Sequence, residues 1–247
     1  MKTQSRQIES LQSLQFYVTP PHACSYLPER EAVTLFADPT AELHNDHYAQ
    51  LSAMGFRRSG DHLYRPHCRT CRACIPVRIP VDSFTPNRSQ RRTWRANADL
   101  RVNAAPATFS DEQFALYRRY IQTRHPGGGM DNDNPDNYMC FISSPWSSSK
   151  LYEFRAGSRL LCVAVTDHFR DGLSAVYTYF DPEPSRRALG VYAVLWQVEK
   201  ARDLGLRWVY LGYWIRDCLK MSYKSQYRPL EHFRGSGWEL LPADPAS

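Results

Sequence analysis

Three observations predict an α/β protein with a smaller N-terminal part. Three strand-like runs follow one another as a meander (KLYEFR, RLLCVAVTD and LSAVYTYFD), a long capped helix comes next (SRRALGVYAVLWQVEKARDLG, 185–205), and a further strand follows it (RWVYLGY, 207–213). That order is the order of an acetyltransferase-like (GNAT-like) core. Ahead of it, a hairpin pattern leads into CRTCRAC (68–74), so the N-terminal part is expected to be an α+β domain carrying a cysteine cluster. The small, proline-containing stretch VNAAPATF around 101–109 reads as a linker, which divides the chain into 1–105 and 106–247.

Along the first part, TAELHNDHYAQLSAMGF (40–56) spaces Leu43, His47, Leu51 and Met54 three or four apart, a helix with Thr40 as cap and Gly55 at its end. FRRSGDHLYR (56–65) gives two short strands around Ser59-Gly60-Asp61, PVRIP (76–80) a strand, and NRSQRRTWRAN (87–97) a basic helix. In the second part, Ser110 and Gln113 form a capping box for a helix lined by Phe114, Tyr117 and Ile121. PGGGMDNDNPDN (126–137) reads as a surface loop, and loops of this kind border active sites. Ser185 caps the long helix and Gly205 stops it; WIRDCLKMSYK (214–224) is a short helix or turn, and PLEHFRGSGWELL supplies a last pair of strands.

Bulk properties narrow the function. The longest apolar run is LLCVAV (160–165), far short of the ~18 residues a membrane span needs. The N-terminus lacks a hydrophobic signal core, so a cytoplasmic location and no membrane partner are expected. In a reducing compartment, seven cysteines suggest metal or free thiols rather than disulfides. From Arg57 to Arg101 there are eleven arginines, no lysine and three acids. Guanidinium forks grip phosphate and stack on bases, so this stretch points to a polyanionic partner, the alternative being a solvated basic face. The helix start Arg186-Arg187-Ala188-Leu189-Gly190 has one glycine where a coenzyme A pyrophosphate turn has two, which argues against that donor.

SRRALGVYAVL, LGYWIRDCLKMSYKSQYRPLE, TYFDP, CSYLPER and FTPNRSQRRTWR together resemble the aminoacyl-tRNA–protein transferases, over about residues 16–240. The chain length, RHPGGGM and CRTCRAC resemble the bacterial, leucine-transferring branch. The resemblance implies leucyl transfer from leucyl-tRNA to proteins with an N-terminal Asp or Glu, which marks them for the degradation machinery. It also implies no required cofactor, because the ester already stores the energy. An arginyl-tRNA donor, or a non-catalytic metal- and RNA-binding module, are the competing readings. The eukaryotic relatives carry cysteine pairs implicated in metal or iron–sulfur binding. Here Cys24, Cys68, Cys71 and Cys74 restore a set of four that either holds zinc or an iron–sulfur cluster or forms a structural loop. Cys140 and Cys162 read as buried small hydrophobes and Cys218 as structural.

Aminolysis of the ester requires alignment, a base for the α-ammonium and a donor to the oxyanion. In TYFDP, Tyr179 and Asp181 alternate onto one side of a strand end and are the catalytic candidates; the alternative for Asp181 is a turn or cap. An acidic N-terminus needs cations, for which Arg124, His125, Arg186 and Arg187 are candidates. Lys220, Lys224 and Arg228, interleaved with Tyr213 and Tyr223, suit the single-stranded CCA end. Arg88, Arg91, Arg92 and Arg95 form one stripe on the basic helix, assigned to the acceptor stem.

Overall fold

The computed structural model describes residues 11, 13–124, 134–183 and 185–242. Its centre is an eight-stranded sheet. The members are β7 (Ile75–Pro80), β8 (Arg101–Pro106), β9 (Ser149–Ala156), β10 (Arg159–His168), β11 (Gly172–Phe180), β12 (Trp208–Trp214), β13 (Glu231–Arg234) and β14 (Gly237–Leu240). Their order across the sheet is β14-β13-β7-β12-β11-β10-β9-β8. The expected meander is β9-β10-β11, and the expected tail strands are β13 and β14.

This sheet runs across the expected 105/106 boundary. PVRIP becomes β7 and inserts between β12 and β13, pairing with partners more than 120 residues away. VNAAP is not a linker: it is β8, the edge strand paired with β9. Its small residues and terminal proline are tolerated because an edge leaves one side of the backbone unpaired.

Helix α5 (Leu189–Asp203) covers one face through Val194, Leu195 and Val198 against Val77, Ile79, Leu173 and Val209. Helix α3 (Asp111–Arg124) covers the other face with α4 (Pro135–Ile142), packing Leu116, Tyr117, Ile121, Tyr138 and Ile142 on Leu151, Val163, Val165 and Tyr179. Residues 135–137, expected within a loop, open α4 instead, where Pro135 sits harmlessly at the helix start and Asn134 accepts from the Asp136 amide. The Gln113 side chain turns to the sheet and to α4 rather than to the helix start: its amide donates to the half-buried Glu153 at 2.8 Å, and its carbonyl oxygen accepts from the Tyr138 hydroxyl.

A second sheet joins β1 (Phe16–Val18), β4 (Thr34–Ala37), β5 (Arg57–Ser59) and β6 (His62–Pro66) in the order β1-β4-β6-β5; β2 (His22–Ala23) and β3 (Glu31–Ala32) pair separately. Helix α1 (Asn45–Ala53) starts later than Thr40, after His44, whose backbone amide donates to the His47 ring. This part is clamped to the large sheet by Arg58, which donates to Asp167 at 2.5 and 3.0 Å with both side chains fully buried. The basic helix α2 (Arg88–Ala96) forms where expected, capped reciprocally by Asn87 and Gln90, and rests on α5 through Trp94 and Tyr192.

Candidate active site

The chain's parallel crossover, β11-α5-β12, leaves its two strands paired over three positions only, from Gly172↔Trp208 to Ser174↔Tyr210. Beyond them β11 follows β10 and β12 follows β7, and the strands part. Each strand carries an irregularity at the parting, between the Ala175 and Tyr177 pairings on β11 and between the Tyr210 and Gly212 pairings on β12. Bulges re-aim a strand and end pairing in this way. The result is a fork in the sheet whose inner edges offer backbone groups without ladder partners, and such an opening beyond parallel strand ends is a favoured ligand site.

Two buried cations occupy this fork. Arg57, 8% exposed, donates to Ser174 Oγ and to the Ala175 carbonyl, both at 2.7 Å. It thereby satisfies a β11 carbonyl orphaned by the parting. Gly212 makes room for it: a Cβ there would lie 2.9 Å from Arg57 Nε, and the backbone stands at φ +78°. Lys224, 7% exposed, donates from Nζ to the Tyr213 carbonyl on β12 at 2.6 Å and lies 3.4 Å from Met221 Sδ. Burial, reinforced by the Arg57 charge, lowers its ammonium to about 7. Near neutral pH it exists both as a donor and as a free amine.

Aromatic side chains wall the opening. Tyr120 packs on Tyr177 and Phe180 at centroid distances of 6.2 and 4.9 Å. The Tyr177 hydroxyl is buried with no hydrogen-bond partner among the described residues. Tyr223 remains 40% exposed; burial of its hydroxyl and the neighbouring Tyr120 push it up to about 12, so it stays a donor. Arg124 is exposed and stands 5.8 Å over the Phe180 ring, and Arg186 is exposed at the start of the turn that leads into α5.

Several expected site residues are used elsewhere. Tyr179 is fully buried under α3 and α4, and its hydroxyl is 2.7 Å from that of Tyr138; the strand alternation is as expected, but the helices cover that face. Asp181 accepts from Arg159 at 2.5 Å and from the Glu183 amide, which is the turn-forming alternative. Arg187 forms two 2.8 Å bonds to Asp99, tying α2 to the start of α5, so it is not available to an acceptor carboxylate. Tyr213 is buried and donates to the Gly55 and Tyr64 carbonyls, and Arg228 donates to Ser225, Leu241 and Pro242, so neither is presented to a nucleotide. His125 lies outside the described residues. Lys220 is exposed on the helical turn Leu219–Ser222, and Arg88, Arg91, Arg92 and Arg95 are all exposed on α2. Arg57, Tyr120 and Tyr177 escaped sequence reasoning because nothing local marks them; their roles arise from the parting of strands distant in sequence.

The cysteine loop sits beside the end of β12. Cys24, Cys71 and Cys74 pack with Leu27, Ile215 and Cys218. Burial, then the neighbouring thiols of Cys24, Cys68, Cys71 and Cys218, push Cys74 up to about 12. Cys71 is lowered, first by the Ala73 amide and also by Arg30, which donates to its sulfur at 3.5 Å. Cys68 donates to the Val33 carbonyl. The donor chemistry suits a thiophilic metal, but among the described residues no three His, Cys, Asp or Glu side chains converge to hold one. Cys140 is exposed rather than buried, while Cys162 is fully buried.

Among the described residues no helix is long and apolar enough to cross a membrane. A family model for the N terminus of arginine-tRNA-protein transferase matches residues 22–92, and one for its C terminus matches residues 112–234. The chain is 54% identical to the aspartate/glutamate leucyltransferase of Pseudomonas fluorescens (strain Pf0-1) over 231 residues, 94% of this chain and 98% of the relative. It is 53% identical to that of Stutzerimonas stutzeri (strain A1501) over 232 residues, 94% of this chain and 99% of the relative. A crystal structure of FemX aligns with a TM-score of 0.49 at 9% identity, over 96% of this chain and 90% of that one.

Proposed function

This chain belongs to the arginine-tRNA-protein transferase family, and we propose that the fork between β11 and β12 is where it transfers its amino acid. It is an aminoacyltransferase: leucine passes from leucyl-tRNA to the N-terminal Asp or Glu of an acceptor protein. The product's new N-terminal leucine is a degradation signal in the N-degron sense. The parting of two parallel strands beside a long helix supports the acetyltransferase-like (GNAT-like) reading of the core.

The observation that carries the proposal is the pair of buried cations at the parting, Arg57 and Lys224. The acceptor's α-amine attacks the ester carbonyl, a C–N bond forms, and the bond from that carbon to the ribose oxygen breaks. Negative charge builds on the carbonyl oxygen, and preorganised cations in a water-poor fork stabilise it. Lys224, with its ammonium near neutrality, takes a proton from the α-ammonium as an amine while its own N–H stays on Tyr213. The ribose hydroxyl leaves with a proton, which Lys224 can return. Tyr120, Tyr177 and Phe180 provide an apolar wall for the leucyl side chain, and the unpartnered Tyr177 hydroxyl is a donor held for the substrate. Arg124 and Arg186 at the mouth suit the acceptor's side-chain carboxylate, and the α2 arginines suit the acceptor stem.

Labelled leucyl- and arginyl-tRNA, each offered with peptides beginning Asp, Glu, Lys or Ala, test this function. Leucine on the acidic pair alone is expected. Arginine on that pair, or RNA binding without transfer, contradicts it.

A further inference from the structure

On the α5 face, at the end of the sheet away from the fork, a cavity of about 240 Å3 is lined by Lys150, Tyr152, His168, Trp196, Lys200 and Leu204. Sheet register builds it. Lys150 and Tyr152 point the same way two residues apart on β9, opposite Thr166 and Ala164 of β10, and His168 ends β10. Helix α5 adds Trp196 and Lys200 one turn apart, with Leu204 just past its end. Trp196 and Lys200 lie seven and eleven residues along α5 from Leu189, the end nearest β11, roughly 10 and 16 Å.

Its charges are unbalanced. Neither the Lys150 nor the Lys200 ammonium has a carboxylate or hydrogen-bond partner among the described residues, and no acid lines the cavity. Among the described residues, the carboxylate acting on His168 is Asp167, which follows the strand alternation to the opposite face and is held there by Arg58. Burial, then the Lys150 charge, with a smaller contribution from Lys200, holds the His168 imidazolium down to about 4. The ring is therefore neutral at physiological pH, and its Nε2 lies 2.9 Å from the Tyr152 hydroxyl. The floor is aromatic: Tyr152 and Trp196 meet at 4.5 Å between centroids, tilted by 54°. Two unpaired ammoniums over an aromatic floor match a ligand that joins an anion to a flat ring.

We propose that this cavity is a nucleotide-phosphate site, with Lys150 and Lys200 on the phosphate and the base against Trp196. The phosphate belongs either to the tRNA backbone or to a free nucleotide. Helix α2, which carries the exposed arginine stripe, packs on α5 through Trp94 and Tyr192, so a bound RNA that reaches both would track along α5. The inference does not depend on the transfer chemistry at the fork.

The full-length chain is titrated with adenosine monophosphate, and separately with deacylated tRNA, while the His168 imidazole resonances are followed by 1H–15N NMR. A shift with the mononucleotide assigns the site to free nucleotides; a shift with tRNA alone assigns it to RNA. In either case the double variant K150Q/K200Q, checked for native circular dichroism, loses the shift and weakens that ligand by about tenfold. An unmoved His168 under both titrations overturns the proposal, as does a double variant that binds both ligands like the parent. Because a general loss of surface charge weakens tRNA without touching the ring, the His168 signal separates the site from non-specific attraction.

Discussion

The Lys224 ammonium donates to the Tyr213 carbonyl at 2.6 Å inside a fork where the foremost charge acting on it is the guanidinium of Arg57. A lysine so placed is poorly solvated and faces a like charge, with no carboxylate paired to it among the described residues. Its cost to folding gives the first prediction. From about pH 7 to its ordinary value of 10.5, the unfolded chain holds this proton and the folded chain does not. The unfolded state binds more protons there, so this residue makes stability rise with pH across that window. Lys224→Met should flatten the rise and stabilise the fold at pH 7 by about 1–4 kcal/mol, because an apolar side chain of similar volume replaces a buried charge. Urea unfolding of both proteins at pH 7 and pH 10 checks it.

Gly212 is the position that admits Arg57. Adding one methyl group forces a side chain into a positive-φ conformation and against the guanidinium. Gly212→Ala should destabilise by about 1–3 kcal/mol and lower transfer, with most of the loss in kcat, since the displaced cation faces the developing oxyanion. Stopped-time transfer assays beside thermal melts separate the two effects.

Tyr177 hides a hydroxyl with no hydrogen-bond partner among the described residues. Removing it costs no native hydrogen bond, so Tyr177→Phe should leave the melting temperature unchanged or higher. If the hydroxyl serves the substrate, kcat/KM for leucyl-tRNA should still fall by about tenfold. A variant with parental kinetics assigns Tyr177 to packing alone.

The α2 arginines are exposed, so reversing two of them leaves the core intact. Arg92→Glu with Arg95→Glu should raise KM for leucyl-tRNA and reduce the slope of log affinity against log salt by about 0.9 for each phosphate no longer neutralised. Peptide KM should not move.

Asp167 is the counter-charge of Arg58, and both are fully buried. Asp167→Ala leaves an uncompensated guanidinium between the two sheets and should cost about 3–5 kcal/mol, visible as a lower urea midpoint.

Much of the fold is legible in the sequence because it is local. Asn87 and Gln90 start α2, Gly205 ends α5, and the Ser59-Gly60-Asp61 turn sets the hairpin β5-β6. What escapes is non-local. Ile75–Pro80 reads as a strand, but nothing near it names β12 as its partner. The same limit applies to the site: alternation correctly places Tyr179 and Asp181 at the end of β11, yet Tyr138 and Arg159 occupy them from elsewhere in the chain. Lys224 lies in the most family-specific run, GYWIRDCLKMSYK, but its burial follows from the parting of β11 and β12. The sequence assigns Lys224 to the CCA end but gives no sign that its side chain is buried on the Tyr213 carbonyl.

The most direct test is the single-turnover rate of leucine transfer from leucyl-tRNA to a Glu-initiated peptide, with and without Lys224→Met. The parent rate should climb with pH and level off above about 7, as the Lys224 amine becomes free. The variant should lose about 100-fold or more and its pH dependence near 7, with tRNA affinity retained. A variant that keeps the parental rate and profile contradicts a transfer centre at this fork.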